Sequence, residues 1–160
     1  ASGVFNILQV SAEKEFRLTK HLVWIAELTL QQKAGNAPVN VPQLYTRHRI
    51  GYEGTLGFPN LRMSTGLEIK YNTNYKADGY SPVMGQFYYQ DTSTLSMKLP
   101  RIDAYMHFRI RSFTAYIRME NLNTARTKNG FGFSNNNLAI HNYPYPSMII
   151  RVGIFWSFVN

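Results

Sequence analysis

The chain has 160 residues, 44% of them apolar, and 17 Lys and Arg against nine Asp and Glu give it a formal charge of +8 at pH 7. That length allows one domain with a sizeable core, and the composition excludes a disordered chain. The absence of cysteine excludes a disulfide framework, a Cys-based zinc site and a thiol nucleophile; the basic excess suits nucleic acid, anionic lipid or small anions without separating them. No run of about 18 apolar residues occurs, so no transmembrane helix is written here. The opening "ASGVFNILQV" lacks a basic region ahead of an apolar one and does not read as a signal peptide. The expectation is a processed chain or one that begins inside a longer protein.

Taken in chain order, the apolar residues recur every second position. The first strand, about 3–16, is the least regular: Asn6 and Lys14 interrupt Val4, Leu8, Val10, Ala12 and Phe16, which leaves room for a bulge. The second, about 21–33, carries Leu22, Trp24, Ala26, Leu28 and Leu30 on one face. The third and fourth, about 45–58 and 61–76, form a hairpin with Pro59-Asn60 as its turn. Phe58 is then set against Leu61, Leu56 against Met63, Tyr52 against Leu67 and Ile50 against Ile69. Their other face holds Arg47, Arg49, Glu53, Arg62, Ser64, Glu68, Lys70 and Asn72.

The fifth and sixth strands, about 101–111 and 113–125, turn at Arg111-Ser112. That register sets Ile110 against Phe113, Phe108 against Ala115 and Met106 against Ile117, with both apolar sets on one side. The seventh, about 146–159, is "SMIIRVGIFWSFVN", in which Met148, Ile150, Val152, Ile154, Trp156 and Phe158 share a face. Short connections near 17–20, 59–60 and 111–112 alternate with long ones over 34–44, 77–100 and 126–145. The strand-like "VMGQFYYQD" is assigned to the second long connection, because an eighth full strand would move the tight turns to the wrong side.

Alternation alone does not say which face is inside. A soluble barrel or sandwich would turn the apolar face inward, and its Arg-rich face would be solvated surface. Three features favour a membrane barrel instead. The strands run to about 11–15 residues, against roughly 5–6 in soluble sheets and about 9–11 for a tilted membrane strand. Aromatics sit at strand ends on the apolar face: Phe16, Trp24, Phe58, Phe113, Trp156 and Phe158 toward the short turns, Tyr71 and Tyr75 toward the long loops. The chain also closes on an aromatic strand. The expected fold is therefore an all-β, antiparallel transmembrane β-barrel segment, one domain over 1–160. It supplies about seven C-terminal strands of a larger barrel, or else a small eight-stranded barrel.

Three stretches resemble a known family. "YKADGYSPVMGQFYYQD", "LPRIDAYMHFRIRSFTAYIRMENLN" and "NYPYPSMIIRVGIFWSFVN" are similar to the C-terminal part of the porin family of Bacteroidota, at Pro82, Gly85, Gln86, Phe87, Pro100, Asp103, Asn121, Tyr143, Pro144, Pro146, Trp156 and Phe158. TonB-dependent receptors share related terminal strands. The resemblance covers roughly 71–160. It implies a bacterial outer-membrane location and a chain that is the C-terminal piece of a larger barrel, and it supplies no catalytic or cofactor residue to carry over.

With the apolar face outward, the lumen would be lined by Arg47, Arg49, Glu53, Arg62, Glu68, Lys70, Arg101, Asp103, Arg109, Arg118, Glu120 and Arg151. The lipid face and its girdle would include Phe58, Phe108, Phe113, Ile150, Ile154, Trp156 and Phe158. Such a wall concentrates anions, or is balanced by strands or a plug elsewhere. Asp103 and Glu120 should be cross-strand neighbours locked by Arg101 and Arg118 rather than an acid–base pair. His107 stands roughly 13 Å along the strand from Asp103, too far for a dyad. His48 falls on the apolar face and His21 and His141 in turns, so no metal cluster forms. Gly51, Gly54 and Gly66 mark a barrel corner or a close approach. The expected function is a porin-like passive channel, not an enzyme. Its partners would be the lipid bilayer, the remaining strands or another chain, and other outer-membrane proteins, with no nucleic acid. A structural or partner-binding barrel, a TonB-dependent receptor-like transporter and a soluble lipocalin-like barrel are the alternatives.

Overall fold

The computed structural model describes residues 6–35, 38–55, 57, 60–97, 99–126, 132–133 and 137–158, the side chains of 126, 132 and 133 apart. Seven strands pair strictly in sequence order, each antiparallel to the next. They are β1 (Asn6–Arg17), β2 (Leu22–Ala34), β3 (Leu44–Thr55), β4 (Leu61–Asn72), β5 (Arg101–Ile110), β6 (Phe113–Glu120) and β7 (Ile149–Trp156). The sheet is open, with β1 and β7 as its edges.

The β5–β6 register is the one the alternation dictates, with Ile110 opposite Phe113 and Met106 opposite Ile117. Between β3 and β4 it differs by two residues: Ile50 faces Leu67 and Gly51 faces Gly66. Among the described residues ladder pairing runs as far as Thr55–Arg62, and Gly57, at φ 70°, and Asn60 stand outside the strands. The connection is therefore longer than a two-residue turn. A slip of two leaves every side chain on its expected face. Leu56, Phe58 and Pro59 lie outside the described residues. The first hairpin has no bulge, since pairing is continuous from Asn6–Ala34 to Arg17–Val23. Lys14 keeps its place on the apolar face by laying its ammonium over the Phe16 ring, 5.2 Å from the centroid.

Several strands end before the periodicity does. β6 stops at Glu120 because Asn121 takes φ 59°, ψ 44° and starts a short 3₁₀ turn over Leu122–Thr124. β4 stops at Asn72, and Tyr75–Lys76 pairs with Thr94–Leu95 in a separate ribbon. Burial, with Tyr145 and Asp78 nearby, holds the Tyr75 phenol above its ordinary value. The "VMGQFYYQD" stretch is no wall strand: Gln86–Tyr88 folds back on Gly79–Ser81 in the same long loop. The long loops are tied to one another at that end of the sheet. Asn40 donates to Asp78 (2.9 Å) and to the Gln90 carbonyl (2.7 Å), and Asn137 donates to the Leu99 carbonyl (2.7 Å).

The facing Gly51–Gly66 pair explains itself sterically. A Cβ on Gly66 would stand 2.6 Å from the Gly51 Cα, and one on Gly51 would meet the Tyr105 hydroxyl. Tyr105 thus covers the gap two strands away, where the missing side chains admit it.

Burial runs opposite to that of a soluble sheet. Glu68 and Asp103 are only 3% and 2% exposed, whereas Leu8 and Val152 are 65% and Ile154 is 69% exposed. The charged face is the crowded one, and the apolar face is open.

Candidate functional site: the charged face

Register decides which side chains share a face. Arg49 pairs with Glu68, Glu68 with Asp103, Lys70 with Arg101, Arg62 with Arg109 and Arg118 with Arg151. Arg47, Glu53 and Glu120 follow from the same alternation, so all the acids and bases expected on one face do stand on one face.

What the linear order conceals is how they are joined. Glu68, on the central strand, is a hub: Lys70 Nζ lies 2.5 Å from it, Arg118 2.8 Å, Arg49 3.1 Å and Arg47 3.8 Å. Asp103 is held by Arg118 at 3.1 Å, by Lys70 at 3.3 Å and by the Asn121 backbone N–H at 3.0 Å. The chain of contacts runs outward through Arg47 to Glu27 (3.2 Å) on one side. On the other it runs through Arg118 to Glu120 (3.4 Å) and on to Arg151 (3.0 Å). One ribbon of five bases and four acids therefore crosses β2 to β7 at mid-height. Arg118 reaches across β5 to touch Glu68 on β4, so the pairs are cooperative rather than local. Because Glu68 and Asp103 are buried, these partners take the place of water around their carboxyl groups.

Other positions stand apart from the ribbon. Arg101 stacks over Tyr145 at 5.3 Å and, among the described contacts, does not join Asp103 and Glu120, where its strand position predicts it. Among the described residues Arg118 alone bridges those two acids. Glu53, Arg62 and Arg109 have no oppositely charged partner within 4 Å among the described residues. His107 faces Tyr116 and makes edge contacts with Tyr105 and Tyr116 rings at 5.5 and 5.9 Å. His48 packs by Trp24 on the apolar face. Among the described residues no three potential metal ligands cluster.

On the apolar face, Phe108, Phe113, Trp156 and Phe158 form a run of ring contacts at the short-turn end. Their successive spacings are 6.4, 6.0 and 4.9 Å, and Phe16 stacks on Trp24 beside β1 at 4.9 Å. Ile150 and Ile154 stand exposed between that belt and the long loops. The girdle position expected at Phe58 lies outside the described residues.

One contributor is absent from the expected set, and another is named there without its role. Glu27 anchors one end of the ribbon, and its cross-strand position opposite Arg47 would have revealed it had the second and third strands been paired explicitly. Asn121 caps Asp103 through a left-handed backbone that the sequence does not announce.

An all-antiparallel meander with an ionised face buried and an apolar, aromatic-belted face exposed has the construction of a membrane β-barrel wall. A family model described as "Putative porin" matches residues 1–160, and the chain belongs to that family. No curated protein matches it, and no solved structure does.

Proposed function

We propose that the chain forms part of the wall of a bacterial outer-membrane β-barrel. It acts there as a porin-like passive channel for small hydrophilic solutes, with the charged face toward the lumen and the apolar face toward lipid. The observation that carries the reading is the inverted exposure: Ile154 and Val152 are open while Glu68 and Asp103 are enclosed. In water that arrangement would leave a large apolar surface unburied; in a bilayer it costs nothing, because lipid covers the apolar face. Membership in the porin family supports the same location.

Lipid offers no partner to an open sheet edge. The free edges of β1 and β7 are therefore closed by further strands, from the rest of a longer chain or from another chain. The lumen face carries more bases than acids, which favours anions over cations.

The test is conductance. The complete protein, extracted from outer membranes in mild detergent and inserted into a planar bilayer, should give stable ohmic steps. Its reversal potential in a salt gradient should be displaced toward that of the anion. Absence of steps from a correctly inserted barrel would reject the channel and leave a structural or partner-binding barrel.

A further inference from the structure

The bases of the mid-height ribbon are largely spent on their own acids. At the short-turn end the situation differs. Arg62 and Arg109 are Cα partners across β4 and β5, a like-charge juxtaposition that disfavours the pairing unless something neutralises it. Arg111 follows in the β5–β6 turn at φ 54°. Among the described residues none of the three has a carboxylate within 4 Å, whereas Arg47, Arg49, Lys70, Arg118 and Arg151 each have one. Arg109 Nε donates to the Arg111 carbonyl at 3.2 Å, which anchors the Arg109 guanidinium at the turn; among the described residues its terminal nitrogens meet no carboxylate.

Arg62, Arg109 and Arg111 line a cavity of about 380 Å3 with Asn60. Arg62 and Arg109 also border an adjoining space of about 470 Å3, where Glu53 is the acid among the described residues and the other polar walls include Ser64, His107 and Thr114. Among the described residues that line the two spaces, three arginines against one carboxylate leave an excess of two positive charges, the complement of a dianion. Guanidinium forks carried by two strands and a turn around one space match oxygens in a tetrahedral array better than they match a spherical halide.

We infer that Arg62, Arg109 and Arg111, with Asn60, form a binding site for a phosphoryl-class oxyanion at the short-turn mouth of the barrel. The site, rather than the ribbon, sets the anion preference. This deepens the channel reading and rests on it for the word mouth. The oxyanion is a free solute or the headgroup of a lipid at the barrel rim; both present the same phosphoryl oxygens.

The experiment uses the complete barrel in detergent and in bilayers. Inorganic phosphate should raise its unfolding temperature beyond what chloride does at equal ionic strength. R62Q and R109Q should each weaken that phosphate dependence about tenfold, the loss of one charge-assisted contact. The ribbon variant R151Q should leave it unchanged. In nanodiscs, replacing phosphatidylcholine by phosphatidylglycerol should compete with free phosphate if the headgroup is the occupant, and should have no effect if the solute is. In bilayers R62Q/R109Q should lower anion over cation permeability severalfold while conductance persists.

Phosphate behaving like chloride in the unsubstituted protein would overturn the site. So would a permeability ratio that follows R151Q instead of the mouth arginines. A barrel that binds phosphate yet never conducts would reject the channel reading and leave the site standing.

Discussion

Glu68 is the residue on which most of the charged face converges. Its side chain is 4% exposed and has four cationic neighbours within 4 Å. Removing the charge from one member of a buried ion network is costlier than the network's own net worth, because the partners are left desolvated and unpaired. Glu68→Gln is isosteric; among the described residues it leaves Arg49 without an acid, while Lys70 keeps Asp103 and Arg118 keeps Asp103 and Glu120. The expected loss is about 3–5 kcal/mol in unfolding free energy, read by urea titration of the barrel refolded in lipid vesicles. The exposed pair of Arg17 and Glu15, at 2.8 Å with 70% and 45% side-chain exposure, offers the contrast. Glu15→Gln should change stability by under about 1 kcal/mol. Equal effects at the two positions would mean that the ribbon is as solvated as the rim.

At the scale of elements, faces were legible in the sequence and ends were not. Alternation fixes the face of a strand residue whatever its exact partner, so a two-residue slip between β3 and β4 left the charged face intact. It did change who meets whom: the slip brings Gly51 opposite Gly66 and makes room for Tyr105, a relation that no periodicity contains. The strand ends depend on single backbone choices. Periodicity continues past Glu120, but Asn121 turns into the left-handed region. There its N–H bonds Asp103 and its side-chain amide bonds the Pro146 carbonyl at 2.9 Å. Asn is among the few non-glycine residues that visit that region readily, yet it does so only where such partners exist. Asn121→Gly keeps the backbone geometry and the N–H, losing the amide contact alone. Asn121→Ala loses that contact and adds backbone strain of about 1–2 kcal/mol. The alanine variant should therefore unfold at lower urea than the glycine variant; the reverse order would show that chain entropy, not the left-handed turn, governs this junction.

For the whole molecule, everything turns on which face meets water, and adjacent residues on one strand can decide it. Gln9 and Val10 are neighbours in β1, opposite Gln31 and Leu30 of β2, and both are exposed. Gln9 lies on the charged face, where its amide oxygen accepts from Gln31 at 3.1 Å; Val10 lies on the apolar face, 58% exposed. If lipid covers that face, Val10→Arg places a guanidinium in hydrocarbon and costs about 2–4 kcal/mol near the bilayer midplane. Gln9→Arg points into an aqueous lumen and stays within about 0.5 kcal/mol, as for a surface substitution. Both are read from the folded fraction in lipid vesicles over a urea series. A soluble sheet whose apolar face packs against protein would also resent Val10→Arg, so a second arm is needed. In that case the unsubstituted protein would fold in buffer alone, and lengthening the acyl chains of the vesicles would not alter the Val10→Arg penalty. In a barrel wall the protein requires the bilayer to fold, and the penalty grows as the bilayer thickens around the substituted position.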